Sequence, residues 1–222
     1  MGWRRGMLIA LRLNRIPPFG TWSTVKLKEL TLLGLEASSL KSLIVVDMVN
    51  DDIREGSPLY VGPEGLRIVP RIRRLLEEAR RRRLPVIYVC DSRSPEDLEY
   101  FAKAWGLPPH AVQGSRGAEV IEELKPVEGD LVVPKPRLSG FYRTGLDQLL
   151  KGLNVDTVII TGVSTEVCVF KTAIDAKELG YEVIVVSDCC ASRSMGLHEL
   201  ALKHLKRFKV KVEESSELLK RL

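Results

Sequence analysis

The chain has 222 residues, with 34 Lys and Arg against 29 Asp and Glu for a formal charge of +5; 45% of the residues are hydrophobic and 28% are charged. This composition supplies a real core and excludes a disordered tail. No run of about 18 apolar residues is present to span a membrane, and four cysteines over this length exclude a disulfide framework. His110, His198 and His204 are the only histidines, which limits imidazole chemistry to three positions.

Residues 1–40 stand outside the pattern that follows and read as an N-terminal extension, flexible or oligomer-contacting. Arg4, Arg5, Arg12 and Arg15 surround the apolar run Met7 to Leu11, and Arg12 cuts it shorter than a secretory signal requires. A cytoplasmic protein with reduced cysteines is the expectation. Side-chain amides are scarce (Asn14, Asn50, Asn154, Gln113 and Gln148) beside abundant Lys, Arg and Glu, a composition that points to a hot habitat.

From residue 41 to 222 short apolar runs alternate with helical patterns. Leu43 to Val46 reads as a buried strand ending at Asp47. Pro63 to Arg83 reads as one helix, with Ile68, Ile72, Leu75, Leu76 and Ala79 at helical spacing. Its arginines, Arg71, Arg73, Arg74 and Arg80 to Arg83, form the densest basic run. No aromatic residues interleave them, so a solvated face is favoured over nucleic-acid binding. Val86 to Val89 is the second strand, Ser94 to Gly117 is loop-like, and Ala118 to Leu124 is a short helix. Asp130 to Val133 is the third strand, leading into Lys135, and Thr144 to Lys151 is helical. Thr157 to Thr161 is the fourth strand, followed at once by Gly162 and a helix through Leu179. Glu182 to Ser187, the helix Ser194 to Arg207, the strand Lys209 to Val212 and a last helix from Ser215 complete the chain. Continuous β-branched strands separated by helices predict an α/β, doubly wound, six-stranded and mostly parallel sheet covered on both faces.

In such a sheet ligands bind beyond the carboxyl ends of the strands. Asp47 follows the first strand, Asp91 the second, Lys135 the third, and Gly162 to Cys168 the fourth. Cys168 falls in the first turn of the following helix, where the dipole and free N–H groups favour a thiolate. An ammonium at Lys135 would favour it further, and Asp47 could accept the thiol proton. No histidine lies at these strand ends to make a Cys–His pair, and an Asp–Lys–Cys set can do the same work by a different division of labour. Taken singly, each has a plainer reading, as a turn residue or a buried small hydrophobe. Cys90, Cys189 and Cys190 are read in that plainer way.

Five segments together resemble the isochorismatase-like cysteine hydrolases, which include nicotinamidases, N-carbamoylsarcosine amidases and ureidoacrylate amidohydrolases. They are Leu43 to Asp51, Pro85 to Val89, Pro108 to Gly114, Lys135 to Thr144 and Thr161 to Val169. The resemblance runs in order over about residues 42–212, and the last two segments are its most specific. It implies Asp47 as general base, Lys135 as thiolate stabiliser and Cys168 as nucleophile. It also implies a cis peptide between Val163 and Ser164, and an oxyanion hole from the backbone N–H groups of Ser164 and Cys168. The reaction implied is hydrolysis of a C–N bond in a small amide or ureido substrate through a thioester. The isochorismatase branch proper lacks the cysteine, so Cys168 argues against that reaction.

The chain departs from the family in one place. Nicotinamidases hold a divalent metal with an Asp and a His in an Asp-x-His motif and a later His in Pro-Pro-His. Asp91 and His110 match two ligands, but Arg93 stands where the middle histidine belongs, and a guanidinium cannot ligate a metal. Asp91 and His110 therefore remain weak metal candidates, and no cofactor is expected. The segment from Lys135 to Thr144 most resembles the ureidoacrylate and carbamoyl-amide branch. Arg93, Arg137, Tyr142 and Val163 are then candidate substrate-binding residues, with Arg93, Arg137 and Arg143 able to pair with a substrate carboxylate. A homo-oligomer without nucleic-acid or membrane partners is expected. A nicotinamidase with an altered metal site and a catalytically retired binding protein are the alternatives.

Overall fold

The computed structural model describes residues 41–222; the expectation for residues 1–40 lies outside the described residues. Six strands, β1 (Lys41–Val46), β2 (Val86–Asp91), β3 (Leu131–Lys135), β4 (Thr157–Val163), β5 (Glu182–Ala191) and β6 (Lys211–Glu213), form one sheet. Their order is β3-β2-β1-β4-β5-β6 and every pairing is parallel. Parallel neighbours need crossover connections, and helices supply them: α1 (Asn50–Ile53), α2 (Glu64–Arg67), α3 (Val69–Arg81), α4 (Pro95–Trp105), α5 (Leu146–Gly152), α6 (Phe170–Glu178), α7 (Met195–Arg207) and α8 (Ser215–Leu219).

The strands are apolar on both faces because both are covered. Along β1, Leu43 and Val45 pack with Ile72, Leu75, Leu76 and Ala79 of α3 and Leu218 of α8. Ile44 and Val46, one residue out of phase, pack with Leu146, Leu149 and Leu150 of α5, Ala173 and Ala176 of α6 and Leu205 of α7. The period-two alternation of Cβ atoms divides one strand between two cores. The expected doubly wound α/β fold is what the chain adopts.

Three local differences have physical causes. The helix expected over Pro63 to Arg83 is broken at Ile68, because Pro70 lacks an N–H and its ring opposes a continuous preceding turn. The expected loop from Ser94 contains α4 instead. Ser94 and Asp97 form a reciprocal capping box, Pro95 occupies the first turn, and Gly106 closes the helix in the left-handed region. Only Phe101 of α4 is buried, so the apolar stripe is too thin to read as periodic. Ala118 to Leu124 is not a helix but lies between two short 3₁₀ turns, Arg116–Ala118 and Glu122–Leu124. Strand-like bonding takes up the gap: Val49 bridges Val120, and the Ile121 N–H donates to the Met48 carbonyl at 3.0 Å.

The arginine run of α3 faces water and is largely paired: Arg80 with Asp130 at 2.6 Å, Arg81 with Glu78 at 2.6 Å and Arg71 with Asp188 at 3.5 Å. Among the described residues no helix is long and apolar enough to cross a membrane. The strand order reverses direction between β1 and β4, and the crevice beyond their carboxyl ends is where this fold places ligands.

Candidate active site

Asp47 is the first residue past β1. Its φ of 50° lies in the left-handed region, which Asp tolerates better than most residues. The turn leaves its N–H bonded to the Val89 carbonyl at 3.0 Å and sends its carboxylate under the sheet end. Oδ1 accepts the Asp91 backbone N–H at 2.8 Å, and Oδ2 lies 2.8 Å from Lys135 Nζ. Both side chains are fully buried.

Lys135 closes β3, two strands away from β1. Its ammonium touches Asp47, Asp91 Oδ1, the Arg137 carbonyl at 3.1 Å and Cys168 Sγ at 3.5 Å. Cys168 sits in the turn after β4. Residues Thr165–Val169 form one wide π turn before α6, and the Ser164 carbonyl accepts from the N–H groups of Val167 and Val169. Such wide turns recur at functional sites. His198 of α7 holds this turn from outside through its Nδ1, 2.8 Å from Thr165 Oγ1. The peptide between Val163 and Ser164 is cis.

The charges are coupled. Burial, then the charge of Asp91, pushes the Asp47 carboxyl up to about 6, against the pull of Lys135 and Cys168. Burial opposes the charge on Lys135, but Asp47, Asp91 and Cys168 together outweigh it and hold the proton firmly on the amine. Burial pushes the Cys168 thiol well up, with Lys135 acting the other way. At neutral pH the arrangement is a carboxylate, an ammonium and a thiol: a base next to a proton donor, with a fixed cation between them.

A small cavity of about 190 Å³ opens over Cys168, with Asp52, Asp91, Arg93, Phe101, His110, Ser164, Glu166 and Arg193 in its wall. The predicted residues divide accordingly. Asp47, Lys135 and Cys168 converge, and Arg93, Asp91 and His110 reach the wall. Arg137 and Tyr142 do not line this cavity: Arg137 pairs with Asp97 and stacks 4.0 Å over Tyr100, and Tyr142 is exposed. Val163 is buried behind the turn. Asp52, Glu166 and Arg193 were not singled out from sequence; the only signal was an acid, Asp52, directly before the buried Ile53.

The donor set does not fit a metal. Arg93, wholly buried, fills the space between the two matching ligands: Nη2 lies 2.5 Å from Asp91 Oδ2, and Nε donates to His110 Nε2 at 3.2 Å. The guanidinium also donates to the Pro136 carbonyl and lies 3.7 Å over the Phe101 ring. The other nitrogen of His110 is 2.7 Å from the Pro108 carbonyl, so that Nδ1 carries the proton and Nε2 is the acceptor. Burial, with the Arg93 charge, pulls the His110 pKa down, keeping the ring neutral.

The isochorismatase family model, described as the isochorismatase domain, matches residues 41–217. The chain belongs to the isochorismatase family. It is 31% identical over 194 residues to the ureidoacrylate amidohydrolase RutB of Methylorubrum extorquens, covering 75% of this chain and 76% of that one. The crystal structure of N-carbamoylsarcosine amidase from Thermoplasma acidophilum superposes with a TM-score of 0.70 at 38% identity, covering 79% and 96% of the two chains. The pyrazinamidase of Pyrococcus horikoshii in complex with zinc gives 0.73 at 30% identity, covering 79% and 99%. These relatives make this isochorismatase-family chain an amidohydrolase relative in the broad sense.

Proposed function

We propose that the protein hydrolyses the C–N bond of a small amide or ureido substrate through a thioester on Cys168. The observation that carries this reading is the buried Lys135 ammonium, 2.8 Å from Asp47 and 3.5 Å from the Cys168 sulfur at the floor of the cavity. Asp47 takes the thiol proton as the sulfur attacks the carbonyl carbon. The C–S bond forms and the carbonyl electrons move to oxygen, where the backbone N–H groups of Ser164 and Cys168 receive the charge. The C–N bond then breaks, and the proton on Asp47 leaves with the amine or ammonia. Water, losing a proton to Asp47, attacks the thioester and releases the acid, and the proton returns to sulfur. Lys135 stays charged throughout and stabilises each anionic stage.

The reading draws on the names of relatives that act on ureidoacrylate and N-carbamoylsarcosine. The test is ammonia release from a panel of small amides and ureides by wild type and Cys168→Ala. Release by the wild type, reduced on the order of 10⁴-fold in the variant, supports the thioester route. Equal rates for both proteins on every compound would sink it.

A further inference from the structure

The cavity wall carries two carboxyl groups that the thioester reaction does not use, Asp52 and Glu166. Both have an oxygen, Asp52 Oδ2 and Glu166 Oε2, that is buried and has no hydrogen-bond partner. Asp52 is only 6% exposed. A buried acceptor left empty is costly, more so when charged, and at a cavity wall a group that enters the cavity can complete it. To an ionised carboxylate that group is a donor. The rest of the lining is largely apolar, with Leu59, Phe101, Leu107 and Leu138 available for a short aliphatic stem.

The charges that face Asp52 sharpen the identity of that donor. Asp47 and Asp91 act on it from the strand ends, opposed by Lys135 and Arg93. Burial first, and then the two aspartates, hold the Asp52 proton far more tightly than usual. Of these causes the two aspartates favour a cation over an anion at that oxygen, and a cation bound there draws the Asp52 proton off. Arg93 is already committed within the wall: its charge is paired with Asp91, and three of its five N–H groups go to Asp91, His110 and the Pro136 carbonyl. Arg193 is the remaining wall cation. It is an exposed residue whose Nε is bonded to the Tyr60 carbonyl at 2.8 Å, so water screens it.

We infer that the cavity selects a small amide whose far end is an aliphatic ammonium, received by Asp52 and Glu166. This deepens the amidohydrolase reading and rests on it for the word amide; it replaces the expectation of a carboxylate end paired with arginines.

The experiment is calorimetric titration of the full-length Cys168→Ala protein with three near-isosteric probes: β-alaninamide, butyramide and succinamate, which end in a cation, a methyl group and an anion. β-Alaninamide is expected to bind at least roughly tenfold more tightly than either of the others, the effect of one charge-assisted hydrogen bond. Asp52→Asn and Glu166→Gln, each added to Cys168→Ala, are expected to remove most of that advantage. Two positions are used so that a folding defect in the buried Asp52 variant leaves the half-buried Glu166 position to decide. Equal or tighter binding of succinamate, an advantage that survives both substitutions, or no binding of β-alaninamide would each overturn the inference. The two readings fail separately. Wild-type ammonia release from butyramide that disappears in Cys168→Ala keeps the amidohydrolase standing whatever the binding order. Absence of release from every amide sinks that reading while the binding order still decides this one.

Discussion

Lys135 Nζ stands 3.5 Å from Cys168 Sγ, wholly buried and bonded at the same time to the carboxylates of Asp47 and Asp91. One ammonium therefore balances two buried acids and leaves them oriented around the sulfur. Lys135→Met takes out the cation and leaves like charges facing each other out of water. Breaking such a buried set costs about 3–5 kcal/mol, far more than an exposed pair. The variant is expected to lose about that much in urea denaturation and to lose ammonia release with it. Wild-type stability in Lys135→Met would show that the aspartates do not depend on this ammonium.

Asp47 works as a base only when ionised. Its carboxyl is pushed up to about 6 by burial and the nearby Asp91 charge. Below that value it holds a proton and cannot accept another, and above it the base is free. The kcat/KM profile is therefore expected to rise with pH through a limb near pH 6 and then level off. A limb near 4, the ordinary carboxylate range, would mean that Asp47 is not the group that titrates in catalysis.

Gly162 holds β4 against β1. Its φ is 114°, and a Cβ there would lie 1.9 Å from the Val46 carbonyl oxygen, which is backbone and cannot move aside. The adjoining residues carry the cis bond and the cysteine turn. Gly162→Ala is expected to destabilise the fold by about 3 kcal/mol or more and to lower activity in the protein that remains folded. Chemical denaturation decides it; a loss under about 1 kcal/mol would show that the strands separate easily at this point.

Much of this site was legible because its chemistry sits at strand ends, and strands are the clearest pattern in the chain. Asp47, Asp91, Lys135 and Cys168 follow four apolar runs, so the topology alone brings them to one edge. What joins them was not legible. The Asp91 backbone N–H reaches Asp47 across 44 positions in sequence, and no local pattern encodes that bond. Helix α4 escaped notice because its ends are written in capping chemistry while its apolar stripe is a single buried residue. Asp52 and Glu166 escaped notice for a different reason. Their interest lies in an unfilled hydrogen bond, a property of packing that no residue type announces.

Arg93 provides the sharpest contrast between pattern and structure. The motif read it as the residue that spoils a metal site, and in the structure it fills that place itself: its guanidinium contacts Asp91, His110 and the Pro136 carbonyl. Because Asp91 also binds Lys135, Arg93 orients the ammonium from one residue further out. Lysine cannot replace it, since a point charge lacks the planar fork that serves three acceptors at once. Arg93→Lys and Arg93→Met are both expected to lower kcat, with Arg93→Met also losing about 1–3 kcal/mol because Asp91 Oδ2 and His110 Nε2 lose their buried donor while Lys135 still holds Asp91 Oδ1. Prolonged dialysis against a strong chelator is expected to leave wild-type kcat/KM unchanged, and added zinc to leave it unchanged as well. Loss of activity on chelation, restored by one metal per chain, would mean that the guanidinium vacates this position in the working enzyme.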